Sequence, residues 1–435
     1  MIFWLDAILL INFLIAFIYF KTVLSPPFLM GIGMLAASIL VSTYYFEWEL
    51  YKMIPETIII LGGGTFFFTL NCVIYDKIYP VPKDISNVCA TNNYVIRLGR
   101  LKLFYIISIF IGVCELFLKV YYLRTFFGSL NLSTLVVSAR IEMLEGDNLF
   151  HYPALVRMMG SYTSVLSLLT IWLLYYIHFF KNHIKSLRKI LLIHIAIVLV
   201  DAFLSGAKGN IFSIIAAVMF IFVVMYYTKI QRFKFKRSLC FKVGLIFLLL
   251  AVSFKGISIL MGRNIEMQSN TDLLAEYCGA EIVNFDTYLQ GRSSKIQSKN
   301  WGAVTFRKLK EDLGIKQNIP EEEGFQSIGF YTLGNVYTSF YSFHKDFGMI
   351  GCFAMPAFLA FLSMFIYRRM IQNIHNPNIP NIYLFIYTSF GMSLFMTFFS
   401  CKITETNLNM GYFRTIIYIY ILLWFYKKYL LRKSI

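Results

Sequence analysis

"ILLIHIAIVLVDAFLSGAKGNIFSIIAAVMFIFVVMYY" (residues 190–227) consists of two long apolar runs separated by a short turn that contains glycine and lysine. The runs, 190–205 and 210–227, are continuous rather than alternating, which predicts helices and not strands. Roughly 17 to 22 apolar residues cross about 30 Å of hydrocarbon as a helix, and a helix satisfies its own backbone groups within lipid. The stretch therefore predicts two transmembrane helices joined by a tight hairpin.

Runs of this kind recur from one end of the chain to the other. Of the 435 residues, 58% are hydrophobic and only 14% are charged, which is more apolar surface than a soluble core of this size could bury. We count about 11 spans: 4–20, 28–45, 54–75, 103–121, 159–179, 190–205, 210–227, 243–261, 349–367, 382–400 and 412–426. The sequence therefore predicts an all-α polytopic integral membrane protein, with residues 1–435 forming a single membrane domain.

The net charge of +17 is distributed unevenly along the chain. Five basic residues lie between Lys77 and Lys102, four lie within "KNHIKSLRK" (181–189) and six lie between Lys229 and Lys242. These segments fall on one side of the eleven-span arrangement, so the positive-inside rule makes that side cytoplasmic. The charge therefore indicates topology, with the C-terminus inside and the N-terminus outside, and it does not require a nucleic-acid partner.

Two loops on the opposite, outward side are long, 122–158 and 262–348. Loops of this length are usually functional. The second loop also has helical content, since "SNTDLLAEYCGAEIVNFDTYL" (269–289) begins with Ser, Asn and Thr as candidate N-caps and continues with apolar residues at helical spacing. We expect a large, partly helical extracytoplasmic loop that carries the functional residues.

Several basic residues on the outward side are not explained by the positive-inside rule. Arginine binds phosphate through two parallel hydrogen bonds and lysine provides a point charge. Convergence of such residues would suit a lipid diphosphate and would stabilise it as it departs. The candidate diphosphate-binding residues are Arg140, Lys208, Arg263 and Arg292. The alternative for Lys208 is a helix cap whose side chain extends to lipid headgroups.

Asp201 and Lys255 are charged residues that lie inside apolar runs. A carboxylate at membrane depth usually pairs with a cation or faces a wet cavity. Both an intramembrane ion pair and extension of the side chains toward the membrane surface are compatible with the sequence.

The segment "GFYTLGNVYTSFYSFHKDFGMIGCF" (329–353) leads from the long loop into the ninth span. Its aromatic, hydroxyl and amide side chains suit sugar recognition, with Asn335 and Tyr337 as candidates, although an aromatic belt at the membrane interface has a similar composition. His344 is a candidate general base near neutral pH. Asp346 could assist it if a turn brings the two side chains together.

The outward segments carry no evident metal or cofactor motif. They contain no DxD, and "PEEEGF" (320–325) is typical of a solvated acidic turn. The seven cysteines form no CxxC pair, and no nucleotide-binding fingerprint is present. We therefore expect a metal-independent site without a cofactor.

Taken together, these features resemble the Wzy-type oligosaccharide repeat unit polymerases, which assemble O-antigen or capsule. The likeness covers the whole architecture. It includes about a dozen spans, a large outward loop late in the chain, a small-residue and cation hairpin at "SGAKGN" (205–210), and "GNVYTSFYSFHKDFGMIG" (334–351) before the following span. In this family the hairpin cation is more typically Arg. Lys208 keeps the charge but not the paired hydrogen bonds.

The resemblance implies a membrane glycosyltransferase at the outer face of the bacterial cytoplasmic (inner) membrane. A growing glycan on undecaprenyl diphosphate would be transferred to a new undecaprenyl-diphosphate-linked repeat unit, whose hydroxyl attacks the anomeric carbon. The likeness points to Arg140, Lys208 and Arg263 for holding the diphosphate, and to His344 or Asp346 for the acceptor hydroxyl. It also implies a flippase and a chain-length regulator as partners, and neither a metal nor a nucleotide sugar.

Three other functions are compatible with parts of this pattern. An O-antigen ligase shares the layout and has a histidine near the end of its long loop, and an assay with lipid A core as acceptor would distinguish it. A lipid-linked oligosaccharide flippase or another transporter would have paired internal repeats and interrupted helices, but we find one convincing interruption, at 205–210. A membrane acyltransferase would have an intramembrane catalytic histidine, and His194 lacks a supporting motif.

Overall fold

A computed structural model of the chain describes residues 2–50, 52–80, 94–128, 131–145, 150–180, 185–230, 244–245, 252, 254–256, 258–259, 269–291, 301–315, 326–328, 331–372 and 379–433. Most of these residues are helical. The helices are α1 (Ile2–Phe20), α2 (Pro26–Thr43), α3 (Pro55–Ile78), α4 (Leu98–Phe127), α5 (Leu132–Glu145), α6 (Ala154–Phe180), α7 (Lys185–Leu204), α8 (Lys208–Ile230), α9 (Asn270–Cys278), α10 (Ala280–Leu289), α11 (Arg307–Asp312), α12 (Ser339–Gln372), α13 (Ile382–Phe395) and α14 (Met410–Phe425). The described strands are β1 (Tyr94–Ile96), β2 (Gln326–Ile328), β3 (Tyr331–Gly334) and β4 (Leu431–Lys433).

Seven helices in the described part of the chain are long and apolar enough to cross a membrane, namely α1, α2, α3, α4, α6, α8 and α12. Helix α13, with its continuation to Phe398, is apolar but shorter. These helices confirm the predicted all-α, multi-pass class, whereas the number of 11 spans stays a prediction. Of the predicted span 243–261, the described residues are scattered, and those such as Phe254 are helical.

The helix bundle has two ends, and helices of the long loop 262–348 contact one of them, which we call the long-loop end. There the Tyr44 hydroxyl, just after α2, donates a hydrogen bond of 2.8 Å to Asp272 in α9. The Thr57 hydroxyl, in the first turn of α3, donates one of 2.5 Å to Asp286 in α10. These contacts join α9 and α10 directly to the ends of membrane helices.

The opposite end of the bundle, the short-loop end, holds the C-terminal strand. Strands β1 and β4 pair there antiparallel, and the Arg97 amide donates a hydrogen bond of 2.9 Å to the Leu430 carbonyl. Arg368, near the end of α12, is buried and forms an ion pair with Asp76 at the end of α3. Which end of the bundle faces the cytoplasm stays a prediction.

The predicted helical stretch 269–289 is divided into α9 and α10 at Gly279. Ser269 is the N-cap, as its sequence position suggested, because its hydroxyl accepts from the Asp272 amide while the Asp272 carboxylate accepts from the Ser269 amide. Burial opposes ionisation of Asp272, but the hydrogen bonds from Ser269 and Tyr44 outweigh it and lower the pKa of this carboxyl. An ionised Asp272 therefore anchors α9 to α2.

Helix α12 is broken at Gly348, whose backbone angles (φ 63°, ψ −156°) are open essentially to glycine alone. The break separates a short segment at the long-loop end, 339–347, from the membrane segment 349–372. The predicted span 349–367 begins at this break. His344 is therefore carried by a separate helical turn above the membrane helix.

Candidate functional site

His344 lies in the first segment of α12, in contact with α10. Its Nδ1 atom is 3.3 Å from the hydroxyl oxygen of Tyr288, and the two rings meet edge to face with centroids 5.6 Å apart. Tyr288 is buried, whereas His344 is half-buried, so α10 fixes one side of the imidazole. A tyrosine hydroxyl can donate to Nδ1 or accept from it, so His344 can act as a base at Nε2 only in the tautomer that carries its hydrogen on Nδ1 and donates it to Tyr288. A role in proton transfer then falls to Nε2.

The neighbouring residue, Lys345, is only 3% exposed. Its ammonium donates a hydrogen bond of 2.6 Å to the Tyr341 hydroxyl. The Tyr341 ring meets Tyr288 edge to face with centroids 4.9 Å apart, and it stacks on Tyr337 at 4.4 Å. A buried ammonium is costly unless it is hydrogen-bonded, so this packing holds a positive charge in place next to His344. We call these five residues the His344 cluster.

Asp346, the second candidate catalytic residue, contacts a different part of the loop. Its carboxylate accepts hydrogen bonds from the backbone amides of Val304, at 3.1 Å, and Thr305, at 2.6 Å. The Thr305 hydroxyl in turn donates to the Ser342 carbonyl over 3.1 Å. These bonds give Asp346 an anchoring function for the turn 301–306. Its assistance to His344 stays a prediction.

The two candidate sugar-binding residues differ in exposure. Asn335, between β3 and α12, is exposed and accessible to a ligand. Tyr337 is 6% exposed and one face of its ring is covered by Tyr341. Tyr337 therefore supports the His344 cluster by packing, and it does not present a free ring face for a sugar in this arrangement. A sugar contact at Asn335 stays a prediction.

The candidate diphosphate-binding residues are only partly within the described residues. Lys208 is the first residue of α8, and Arg140 lies within α5. Arg263 and Arg292 lie outside the described residues. The turn before Lys208 is held by Ser205, whose hydroxyl accepts from the Asn210 side-chain amide over 2.8 Å. The hairpin predicted at 205–210 is thus confirmed as a tight turn between α7 and α8.

A large apolar cavity lies against this hairpin. Its volume is about 750 Å³, and it is bordered by α1, α2, α8, α9 and α13. Ala207 and Gly209, the two neighbours of Lys208, line it at the long-loop end, whereas Val23 and Leu24 line it at the short-loop end. Among the described lining residues Lys402 is the one with a charged side chain.

The cavity is long as well as apolar. Phe28 and Leu40 of α2 both line it, and at 1.5 Å per helical residue they are about 18 Å apart. Leu274 and Tyr277 of α9 line the cavity at the long-loop end, and α10, which follows directly, carries Tyr288. The α9–α10 pair therefore connects the cavity to the His344 cluster. This cavity could not be predicted from the sequence, because its lining residues come from helices that are far apart in the chain.

Asp201 has an intramembrane partner that we had not predicted. The Lys119 ammonium, on α4, donates a hydrogen bond to the Asp201 carboxylate and lies 2.7 Å from Glu115 Oε1, one turn earlier on α4. The Glu115 side chain is fully buried, and the other two are 14% and 20% exposed. We call Glu115, Lys119 and Asp201 the ion cluster. The i, i+4 spacing of Glu115 and Lys119 within a predicted span was the available signal for it.

Glu281, in α10, is a further buried carboxyl that the sequence did not single out. It is 2% exposed, and its Oε2 atom has no hydrogen-bond partner among the described residues. Burial raises the pKa of this carboxyl well above its usual range. The side chain is therefore neutral when the exposed carboxylates of the loop are ionised.

The described residues contain no group of three or more His, Cys, Asp and Glu side chains placed to hold a metal ion. Comparisons of the chain with protein families, with curated proteins and with solved structures find no match. Its function is therefore inferred from its own residues and their arrangement.

Proposed function

We propose that this protein polymerises lipid-linked oligosaccharide repeat units. It transfers a growing glycan from undecaprenyl diphosphate to a new undecaprenyl-diphosphate-linked repeat unit, at the outer face of the bacterial cytoplasmic membrane. The observation that carries the proposal is the apolar cavity that ends at the hairpin of Lys208. A prenyl chain needs an apolar groove along the membrane, and its diphosphate needs cations where the groove ends.

The composition of the cavity supports a lipid ligand. Its described lining is apolar along its length, and the cation Lys402 lines the cavity, as do Ala207 and Gly209 beside Lys208. Lys402 is paired with Glu405 at 2.6 Å, so its charge is partly compensated. Lys208 is then the hairpin residue whose charge is best placed in sequence for the diphosphate, with Arg140, Arg263 and Arg292 as further candidates.

The chemistry requires a base, a positive environment and a leaving group. The acceptor hydroxyl attacks the anomeric carbon, the bond between that carbon and the diphosphate oxygen breaks, and the diphosphate leaves with the bonding electrons. His344 accepts the hydroxyl proton, and Tyr288 orients its ring. Cations at the hairpin stabilise the charge that develops on the diphosphate, which is a role that needs neither a metal nor a nucleotide sugar.

The long-loop end brings these parts into one region of the molecule. One end of the cavity, the Lys208 hairpin and the α9–α10 pair lie there, and α10 contacts His344 through Tyr288. A flippase that delivers the repeat unit and a regulator that sets chain length are the partners that such a reaction requires.

The first test is deletion of this protein in its native cell, with gel analysis of lipid-linked and surface glycan. We expect the ladder of long chains to collapse to single repeat units, and re-expression of the wild-type chain to restore it. Loss of all surface glycan with long chains still on the lipid carrier would indicate a ligase. An unchanged ladder would contradict the proposal and favour a transporter.

A further inference from the structure

The ion cluster occupies the contact between α4, α6 and α7, away from the His344 cluster. It contains two carboxylates, Glu115 and Asp201, and one ammonium, Lys119. If both carboxylates are ionised, the cluster has a net charge of −1 within an apolar helix bundle. Burying an uncompensated charge in such surroundings is expensive, and neutralisation is the usual outcome. One further positive charge is therefore needed.

The hydrogen bonds around Thr163 indicate where that charge resides. The Thr163 hydroxyl oxygen is 2.9 Å from Glu115 Oε2 and 3.0 Å from the Met159 carbonyl oxygen. The hydroxyl has one hydrogen, whereas both neighbouring oxygens would be acceptors if Glu115 were ionised. A proton on Glu115 Oε2 resolves this conflict, because the carboxyl then donates to Thr163 and the Thr163 hydroxyl donates to Met159.

The two carboxylates of the ion cluster are not equivalent. Lys119 donates its hydrogen bond to Asp201, which is partly exposed. Glu115 is fully buried, and its Oε1 lies 2.7 Å from the ammonium without a well-aligned hydrogen bond. Ionising Glu115 therefore costs more free energy than ionising Asp201, and Asp201 is the counterion of Lys119.

The backbone of α6 closes the site on one side. A Cβ atom added at Gly160 would lie 2.7 Å from Glu115 Oε1 and 3.3 Å from the Lys119 ammonium, so α6 leaves no space for water there. Tyr152, before α6, has its ring 5.9 Å from the same ammonium. Among the described residues, the titratable groups that face Glu115 are Tyr152, Lys119 on α4 and Asp201 on α7.

We propose that Glu115 is an exchangeable proton-binding site within the membrane bundle, with Lys119 and Asp201 as a permanent ion pair beside it. The proton reaches Glu115 from the long-loop end, past the partly exposed Asp201. The proposal is independent of the sugar chemistry, because it rests on the contacts among α4, α6 and α7.

Dicyclohexylcarbodiimide, which modifies protonated carboxyls in apolar surroundings, tests the proposal on the wild-type protein in liposomes. We expect peptide mass spectrometry to find Glu115 modified at pH 6 to a greater extent than at pH 8, and Glu311, an exposed carboxylate, to stay unmodified. In Asp201→Asn the ionised Glu115 becomes the partner of Lys119, and labelling should be lost. Labelling of Asp201 instead of Glu115, or of neither, would overturn the proposal.

Two controls separate a proton from other cations and from a purely structural cluster. Sodium chloride should not protect Glu115 from the reagent any more than choline chloride does, and selective protection by sodium would overturn the assignment. Glu115→Gln mimics the protonated carboxyl and should unfold in detergent at the wild-type temperature, whereas Asp201→Asn should unfold at a lower one. Equal losses in the two variants would also contradict the proposal.

Discussion

The hydroxyl of Tyr288 lies 3.3 Å from Nδ1 of His344, although 56 residues separate them in the sequence. The contact joins α10 to the first segment of α12 and orients the imidazole. Tyr288→Phe keeps the ring but removes the hydroxyl, so we expect polymer formation to fall about tenfold, near the upper range for one neutral hydrogen bond. His344→Gln should reduce it by about 10²-fold or more.

Glycan ladders from membranes with matched protein levels measure these losses. Tyr121→Phe is the control, because Tyr121 is exposed on α4 and remote from α10. A wild-type ladder in His344→Gln would exclude this histidine as the base.

Variants of Asp346 can distinguish an anchoring role of this carboxylate from a role in proton transfer. If its function is to hold the turn 301–306, Asp346→Asn keeps one acceptor oxygen for the amides of Val304 and Thr305 and should retain more polymer than Asp346→Ala. The alanine variant should also make this turn more sensitive to protease. Equal and complete loss of polymer in both variants, with unchanged protease resistance, would instead favour a role in proton transfer.

We expect a positive charge at position 208 to be essential, whereas either lysine or arginine can provide it. Lys208→Ala should abolish long chains, and Lys208→Arg should retain or increase them, since a guanidinium binds phosphate through two hydrogen bonds. Lys189→Ala, an exposed cation on α7 toward the short-loop end, is the matched control. Long chains made by Lys208→Ala at the wild-type level would remove this residue from the diphosphate site.

The apolar cavity gives a test that does not depend on charged residues. Ala36 of α2 lines the cavity, so Ala36→Trp should fill part of it and displace a prenyl chain. Ile417→Trp is the control and should be tolerated, because Ile417 is exposed on α14, none of whose residues line the cavity. Native mass spectrometry of the purified protein should detect polyprenyl lipid in the wild type and the control. Equal lipid content in Ala36→Trp would contradict a lipid site here.

The buried carboxyl of Glu281 predicts a pH dependence of stability. Burial raises the pKa of Glu281 in the folded state. Below the pKa of a glutamate in the unfolded chain, about 4.3, the carboxyl is protonated in both the folded and the unfolded state, and it does not change the free energy of unfolding. As the pH rises above that value, Glu281 ionises in the unfolded chain but stays protonated in the folded protein. The free energy of unfolding therefore falls until the pH exceeds the pKa of Glu281 in the folded protein. Glu281→Gln should therefore be more stable than the wild type at pH 7 and similar at pH 4.

Thermal unfolding in detergent between pH 4 and pH 8 measures this difference. Glu311→Gln is the control, because Glu311 is exposed and its loss should leave the profile unchanged. Parallel profiles for the wild type and Glu281→Gln would show that Glu281 is not the titrating group.

The multi-pass helical class could be predicted from the sequence because a bilayer requires long apolar runs, and seven membrane-length helices in the described part of the chain confirm it. The predicted helix ends were less accurate: α4 continues to Phe127, beyond the predicted 121, because no glycine or proline lies between 121 and Gly128, which ends the helix with a left-handed φ of 67°. The contacts that define the candidate site were not predictable, since Tyr288 with His344 and Lys119 with Asp201 are brought together only by tertiary packing. Glu115 and Lys119, by contrast, are four residues apart on one helix, a spacing that indicates an ion pair from the sequence alone.

The strand β4 has a practical consequence for handling this protein. Residues Leu431–Lys433 pair with β1, and Leu430 and Leu431 are buried, so this stretch is part of the packed structure. A purification tag fused directly after Lys433 would crowd this two-stranded sheet, and a truncation before Leu430 would leave the β1 backbone without its partner. A fusion partner or fluorescent reporter placed after this strand therefore needs a flexible spacer of several residues.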